Sequence, residues 1–222
     1  MAIRYEELRP LLKTGDIVLF QGKGLFSQVI RTFTRSGGKR GKYTHVGMVI
    51  DPSEISSRLL TKAKRDALAG DRVLLLAEST TMSTVRDVET GKFTSGVQTA
   101  LLSQRLATYK GKVWVRRLNK RLTKPKLDAM MALRRELSGR AYERSPWALF
   151  RAAIDWPFSK QRRDLRSLFC SEYDAAMYMA AELLKEPPSA SEITPINFGN
   201  YWELEDGYSL GSAIRLDLEV AG

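Results

Sequence analysis

Apolar residues take two forms along this chain. In the first half they make short continuous runs: Ile17-Val-Leu-Phe20, Tyr43-Thr-His45-Val-Gly-Met-Val-Ile50 and Val73-Leu-Leu-Leu-Ala77. Runs of this length, rich in β-branched residues and bounded by Gly, Pro or charge, predict buried strands. Thr84 to Val88, Gly96 to Leu101 and Lys112 to Arg117 predict further short strands. Ser212 to Val220 alternates at Ala213, Ile214, Leu216, Leu218 and Val220, which suits a closing edge strand.

Elsewhere the spacing is helical. Tyr5 to Leu12 predicts a short helix limited by Pro10, and Leu25, Val29, Ile30 and Phe33 form a stripe ending near Ser36-Gly37-Gly38 before a basic loop, Lys39 to Lys42. Ser53 is a candidate cap for a helix from Glu54 to about Leu68. Ile55, Leu59, Ala63 and Ala67 share one of its faces and basic residues crowd the other, so Glu54 to about Ala69 reads as a surface insertion. Thr123 caps a helix to about Leu137, closed by Gly139, and Pro146 to Trp156 is helical and aromatic. Trp147, Phe150 and Trp156 there read as core. A helix from Ser171, with Ala175, Met179 and Leu183 on one face, stops at Pro187-Pro188, and Ile193 to Tyr208 is loop-like. The sum is α+β, strands first and helices later, with no repeat and no linker: one domain over residues 1–222.

Composition narrows the chemistry. A single cysteine excludes an intramolecular disulfide, and one Cys with one His cannot build a structural zinc site. Neither a metal nor a cofactor is expected. No apolar run approaches the about 20 residues a bilayer-spanning helix needs. The start, Met1-Ala-Ile-Arg-Tyr-Glu-Glu7, lacks an apolar signal core, so the expectation is cytoplasmic residence, or delivery by a partner or by lysis. The formal net charge of +11 suits an anionic partner such as a wall polymer, a lipid headgroup or nucleic acid. Its clusters, Lys39-Arg40-Lys42, Arg116-Arg117-Lys120-Arg121 and Lys160-Arg162-Arg163-Arg166, come with no nucleic-acid motif, so they read as solvated basic faces.

Cys170 opens the helical run that begins at Ser171. A thiol at a helix N-terminus sits beside free N–H groups and the positive end of the macrodipole, which favour the thiolate and can stabilise an oxyanion. It is equally compatible with a small buried hydrophobe beside Phe169. His45, the sole histidine, stands where a basic loop enters an apolar strand, and alone it also fits a hydrogen-bonded structural role. Glu78 closes the apolar run Val73 to Ala77, where burial without a partner would be costly. Together the three supply a nucleophile, a general base and a carboxylate to orient it. Asp16, in the turn before the first strand, reads as bonding local backbone, and Ser171 and Glu172 as first-turn helix residues.

Several short words occur in one order: Thr14-Gly-Asp-Ile-Val-Leu-Phe20, Tyr43-Thr-His-Val-Gly-Met-Val49, Leu76-Ala-Glu-Ser79, Ser138-Gly-Arg-Ala-Tyr142, Phe169-Cys-Ser-Glu-Tyr173 and Ile193-Thr-Pro195. In this order the chain resembles the circularly permuted branch of the NlpC-type papain-fold cysteine peptidases and amidases, the YiiX-like group, distantly akin to lecithin–retinol acyltransferase-like proteins. The resemblance implies a small antiparallel sheet or barrel packed on helices, with the nucleophile at a helix N-terminus. It implies Cys170 as nucleophile, His45 as base, Glu78 as the third member, and Tyr142 as a pocket residue aiding the oxyanion. Glu143 stands where the family commonly has an aspartate. The Glu54 to Ala69 and Ser159 to Arg166 stretches look like local elaborations. The function implied is a thiol hydrolase, or acyltransferase, acting on an amide or ester through an acyl-enzyme. The substrates it suggests are bacterial wall peptides or lipid-type acyl amides. The rival is a binding module on the same fold, with a basic surface for an anionic partner.

Overall fold

The computed structural model describes residues 2–22, 35–36, 39–40, 42–55, 73–80, 84–139, 165–184, 195–200 and 203–218. Its centre is a seven-stranded, mostly antiparallel open sheet. The strands are β1 (Ala2–Arg4), β2 (Ile17–Gly22), β5 (His45–Ile50), β6 (Leu75–Thr80), β7 (Gly96–Leu101), β8 (Gly111–Arg116) and β9 (Ile214–Asp217), in the order β1-β9-β8-β2-β5-β6-β7. Only β1 with β9 is parallel. Two short strands, β3 (Arg35–Ser36) and β4 (Lys39–Arg40), pair as a separate antiparallel ribbon where a helix end and a basic loop were expected.

The continuous runs are strands because both faces of the sheet are covered. In β2, Ile17 and Leu19 join one core cluster while Val18 and Phe20 join the other, and all four are fully buried. The first cluster lies under α3 (Lys124–Leu137) and α4 (Leu165–Ala180), with α5 (Pro195–Gly199) at its margin. The second lies under α1 (Tyr5–Leu8) and α2 (Leu102–Ala107). Burying a Leu, Val or Phe side chain contributes about 1.5–3 kcal/mol, so a run buried alternately on two faces commits the segment to strand.

Several expected elements differ. Thr84 to Val88 is a turn-rich loop, because the Asp87 carboxylate accepts the backbone N–H groups of Glu89, Thr90 and Thr99 at 3.0, 2.6 and 2.8 Å. The closing strand β9 is not at the edge, since β1 adds outside it; β1 has three residues, too few for a periodic signal. Asp51, not Ser53, caps the turn at Pro52–Glu54, accepting from the Ser53 N–H at 3.0 Å, and Ile55 is extended. The rest of the expected 54–69 helix lies outside the described residues, as do the Leu25 to Phe33 stripe, the Pro146 to Trp156 helix and Pro187-Pro188. Pro195 starts a short helix within a segment expected to be loop.

Helix α4 ends in a Schellman motif. The Leu183 N–H donates to Tyr178 O and the Glu182 N–H to Met179 O, both at 2.8 Å, with Glu182 at φ 52°. A buried hydroxyl then ties this helix to the turn before β2: Tyr178 Oη donates to Gly15 O at 2.6 Å. Tyr178→Phe is expected to cost about 1 kcal/mol, read as a lower urea midpoint at unchanged slope. An unmoved midpoint would show that the bond adds nothing.

Candidate active site

Two adjacent strands and one helix assemble the site. Thr44 fixes the entry to β5. Its N–H donates to Phe20 O at 2.8 Å, and its Oγ1 accepts from the Gly22 N–H at 3.1 Å. His45 follows immediately, packed against Phe20 with ring centroids 5.4 Å apart. Leu74, just before β6, and Leu76 and Glu78 on it share the sheet face that α2 covers, by strand alternation. Gly47 lies against Glu78: a Cβ there would stand 3.1 Å from Glu78 Cβ and 3.0 Å from Leu76 Cδ1. The missing side chain leaves the carboxylate free to lean along the strands to His45.

Glu78 Oε2 accepts from His45 Nε2 at 2.6 Å. Glu78 Oε1 accepts from Gln98 Nε2 at 2.7 Å and from Arg105 Nε at 2.9 Å. Gln98 comes from the residue directly opposite on β7, and Arg105 from α2. The guanidinium in turn lies over the rings of Phe20 and Tyr109, 5.0 and 5.3 Å from their centroids. Glu78 is fully buried. Burial opposes its ionisation, but the Arg105 charge and the bonds from His45 and Gln98 prevail and hold it down at about 2.

Cys170 comes to His45 from α4, which packs against both β5 and β6. With His45 Nε2 committed to Glu78, the other ring nitrogen is left to the thiol. Burial opposes the imidazolium; the charge and hydrogen bond of Cys170, then those of Glu78, outweigh it and raise His45 to about 10. The structure therefore brings Cys170, His45 and Glu78 together, with His45 16% exposed and Cys170 4%. It corrects one expectation. Helix α4 begins at Leu165, so Cys170 lies in its second turn and not at its N-terminus. The N–H groups after it are engaged within the helix, and the macrodipole fades beyond the first turn, so neither supports the thiolate or an oxyanion as expected. The segment rich in Ala and Met signals helix from Ser171, but Asp164, a residue type favoured at helix caps, stands immediately before Leu165 and is the sequence signal for the earlier start.

No family model and no curated protein matches the sequence. Among solved structures, the fold is similar to the crystal structure of metalloprotein YiiX from Escherichia coli O157:H7, a DUF1105 protein, with a TM-score of 0.40 and 19% sequence identity. The similarity covers 76% of this chain and 66% of that one, so the chain spans less than two thirds of that protein's length.

Tyr142, the expected pocket residue, lies outside the described residues, as does Glu143. Asp16 bonds further than its own turn: its carboxylate accepts from the Lys13 N–H and ammonium, and from the Leu118 N–H at 2.8 Å. Sequence reasoning missed Gln98, Arg105 and Asp174. Gln98 stands beside Thr99 in β7 and Asp174 two residues after Glu172 in α4, so neither stands out in the sequence as a lone polar residue. Arg105 had no signal either, since Arg is common in short surface helices. Among the described residues no cluster of three or more His, Cys, Asp or Glu is arranged to hold a metal ion, and no helix is long and apolar enough to cross a membrane.

Proposed function

We propose that the chain is a thiol hydrolase of amide or ester bonds, built as a permuted papain-like, NlpC-type domain of the YiiX-like kind. The observation that carries this reading is the relay itself: buried Glu78 at 2.6 Å from His45 Nε2, with Cys170 hydrogen-bonded to the same imidazole. The Cys170 thiolate attacks the substrate carbonyl carbon, forming an S–C bond. As the tetrahedral adduct collapses, the C–N or C–O bond breaks and His45 gives its proton to the departing nitrogen or oxygen. Water then attacks the thioester, His45 takes its proton, the S–C bond breaks, and the acid leaves. Glu78 stays ionised throughout, holding the ring in place and stabilising its cationic form. Tyr142 remains the candidate for pocket and oxyanion duties. Peptide-like amides, wall peptides included, and acyl amides are the substrate classes proposed.

Cys170 is the only cysteine, so alkylation reads it alone. Iodoacetamide should label the folded wild type well below the about 8.5 at which a free thiol ionises, and His45→Ala should lose that reactivity on the order of a hundredfold in mildly acidic buffer. Equal rates in the two proteins, or an inert Cys170, would sink the hydrolase and leave the binding module.

A further inference from the structure

Two side chains besides His45 bond the Glu78 carboxylate, and they differ in what they can do. Gln98 Nε2 donates to Glu78 Oε1 at 2.7 Å, while the Gln98 carbonyl oxygen is buried with no hydrogen-bond partner. That oxygen does not pin the amide, and half a turn about its last bond would offer Glu78 an acceptor in place of a donor. Arg105 has no such freedom. Its guanidinium only donates, and it stays charged. Its Nε–H is shared between Oε1 at 2.9 Å and Oε2 at 3.3 Å, so a carboxyl proton on either oxygen would face it. The guanidinium is itself framed: it lies over Phe20 and Tyr109, and Phe20 packs on the His45 ring. Its helix, α2, is tied to the residue before β6 by the Leu102 N–H, which donates to Leu74 O at 2.9 Å.

We propose that Arg105 is a positioning residue that keeps the proton shared by Glu78 and His45 on the imidazole, and so reserves the other ring nitrogen for Cys170. The assignment rests on the reading of Cys170 as nucleophile and His45 as its base. A buried carboxylate and an imidazole can hold one shared proton in two ways. Either Nε2 carries it and Glu78 is an anion, or Oε2 carries it and Glu78 is neutral. In a low-dielectric interior the neutral acid is preferred unless a further positive charge stands by the carboxylate. Arg105, 8% exposed beside fully buried Glu78, is that charge. The choice decides what the ring can do. With the proton on Nε2, His45 gains and loses its second proton at Nδ1: the thiol S–H breaks, Nδ1–H forms, and Glu78 is unchanged. With the proton on Oε2, Nε2 is a bare acceptor, Nδ1 keeps its own proton, and no lone pair is left to face the thiol. Asp174 of α4 also feels the charges of His45 and Glu78, but it is buried with neither oxygen hydrogen-bonded, so it holds neither group in place.

Nitrogen NMR on the full chain tests this, because His45 is the only histidine and its two ring nitrogens are read without overlap. Cys170→Ala is the background, so the Glu78–His45 pair is observed with no thiol present. Near neutral pH that protein should carry a proton on Nε2. Adding Arg105→Met should abolish the Nε2–H signal and bring up the infrared C=O stretch of a protonated carboxyl, which a further Glu78→Gln removes. Adding Gln98→Met should leave Nε2–H in place, since the amide is not the deciding group. A background protein without Nε2–H, an Arg105→Met protein that keeps it or lacks the band, or a Gln98→Met protein that loses it would each overturn the proposal. Should Arg105→Met not fold, Glu78→Gln with Arg105 intact decides. The guanidinium then holds the introduced amide by its oxygen and turns the NH2 to the ring, so Nε2 should be bare and Nδ1 protonated; Nε2–H in that variant overturns the proposal equally. The hydrolase reading fails by a different result, Cys170 alkylation rates that ignore His45→Ala, on which these thiol-free spectra do not depend.

Discussion

Replacing Arg105 with methionine is expected to cost about 3–5 kcal/mol of unfolding free energy near neutral pH. The guanidinium is 8% exposed and its partner Glu78 is fully buried, so the variant strands a carboxylate whose largest favourable interaction is gone. Methionine keeps most of the packing against Phe20 and Tyr109, which confines the loss to charge and hydrogen bonding. The sign of the pH dependence follows from Glu78. Its folded-state value, about 2, lies below the ordinary 4.5, so its contribution is present above 4.5 and is lost as pH falls toward 2. Without Arg105 the carboxyl takes up its proton at higher pH, so the deficit of the variant shrinks as the solution is acidified. Adding Glu78→Gln should recover much of the loss near neutral pH, because the stranded charge is then absent. Urea unfolding at several pH values measures all three proteins. A deficit under about 1 kcal/mol, or one independent of pH, would show that His45 and Gln98 suffice to hold Glu78 ionised.

The same contrast explains what could be read from the sequence. Ile17 to Phe20, the run ending at Ile50 and Val73 to Ala77 are legible because burial on both faces demands apolar side chains at every position, a local signature of a non-local fact. Cys170, His45 and Glu78 stand out by rarity: a sole thiol, a sole imidazole, a carboxylate at the end of an apolar run. What could not be read depends on partners distant in sequence. β1 is a strand only because β9 offers it an edge. Arg105 and Gln98 matter only because β6 sets Glu78 between them. Helix ends fail for a different reason. α4 closes on Glu182 in a left-handed conformation normally marked by glycine, and the hydrogen bonds of the Schellman turn and the burial of Leu183 compensate for the missing signal.

Asp174 carries the second large expectation: the stability of wild type relative to Asp174→Asn should fall as pH rises. The ordinary value for an unfolded aspartate is 3.8, and the folded value lies well above it. Between the two, the native state holds one more proton than the unfolded chain, so stability declines by about 1.4 kcal/mol for each pH unit. Asparagine has no proton to exchange and removes that slope. The window from 4.5 to 6.5 isolates the effect, because unfolded Glu78 is ionised above the first value and unfolded His45 is protonated below the second. Glu172, raised by burial to about 7, adds a slope of the same sign that is common to both proteins and cancels in their difference. Across the window the gain of Asp174→Asn over wild type should grow steadily with pH, followed by urea unfolding at closely spaced pH. Two lines that run parallel would mean that Asp174 is ionised in the folded protein. The site would then carry an unbalanced anion beside its thiol, and the ion pair of Cys170 with His45 would form only against that charge.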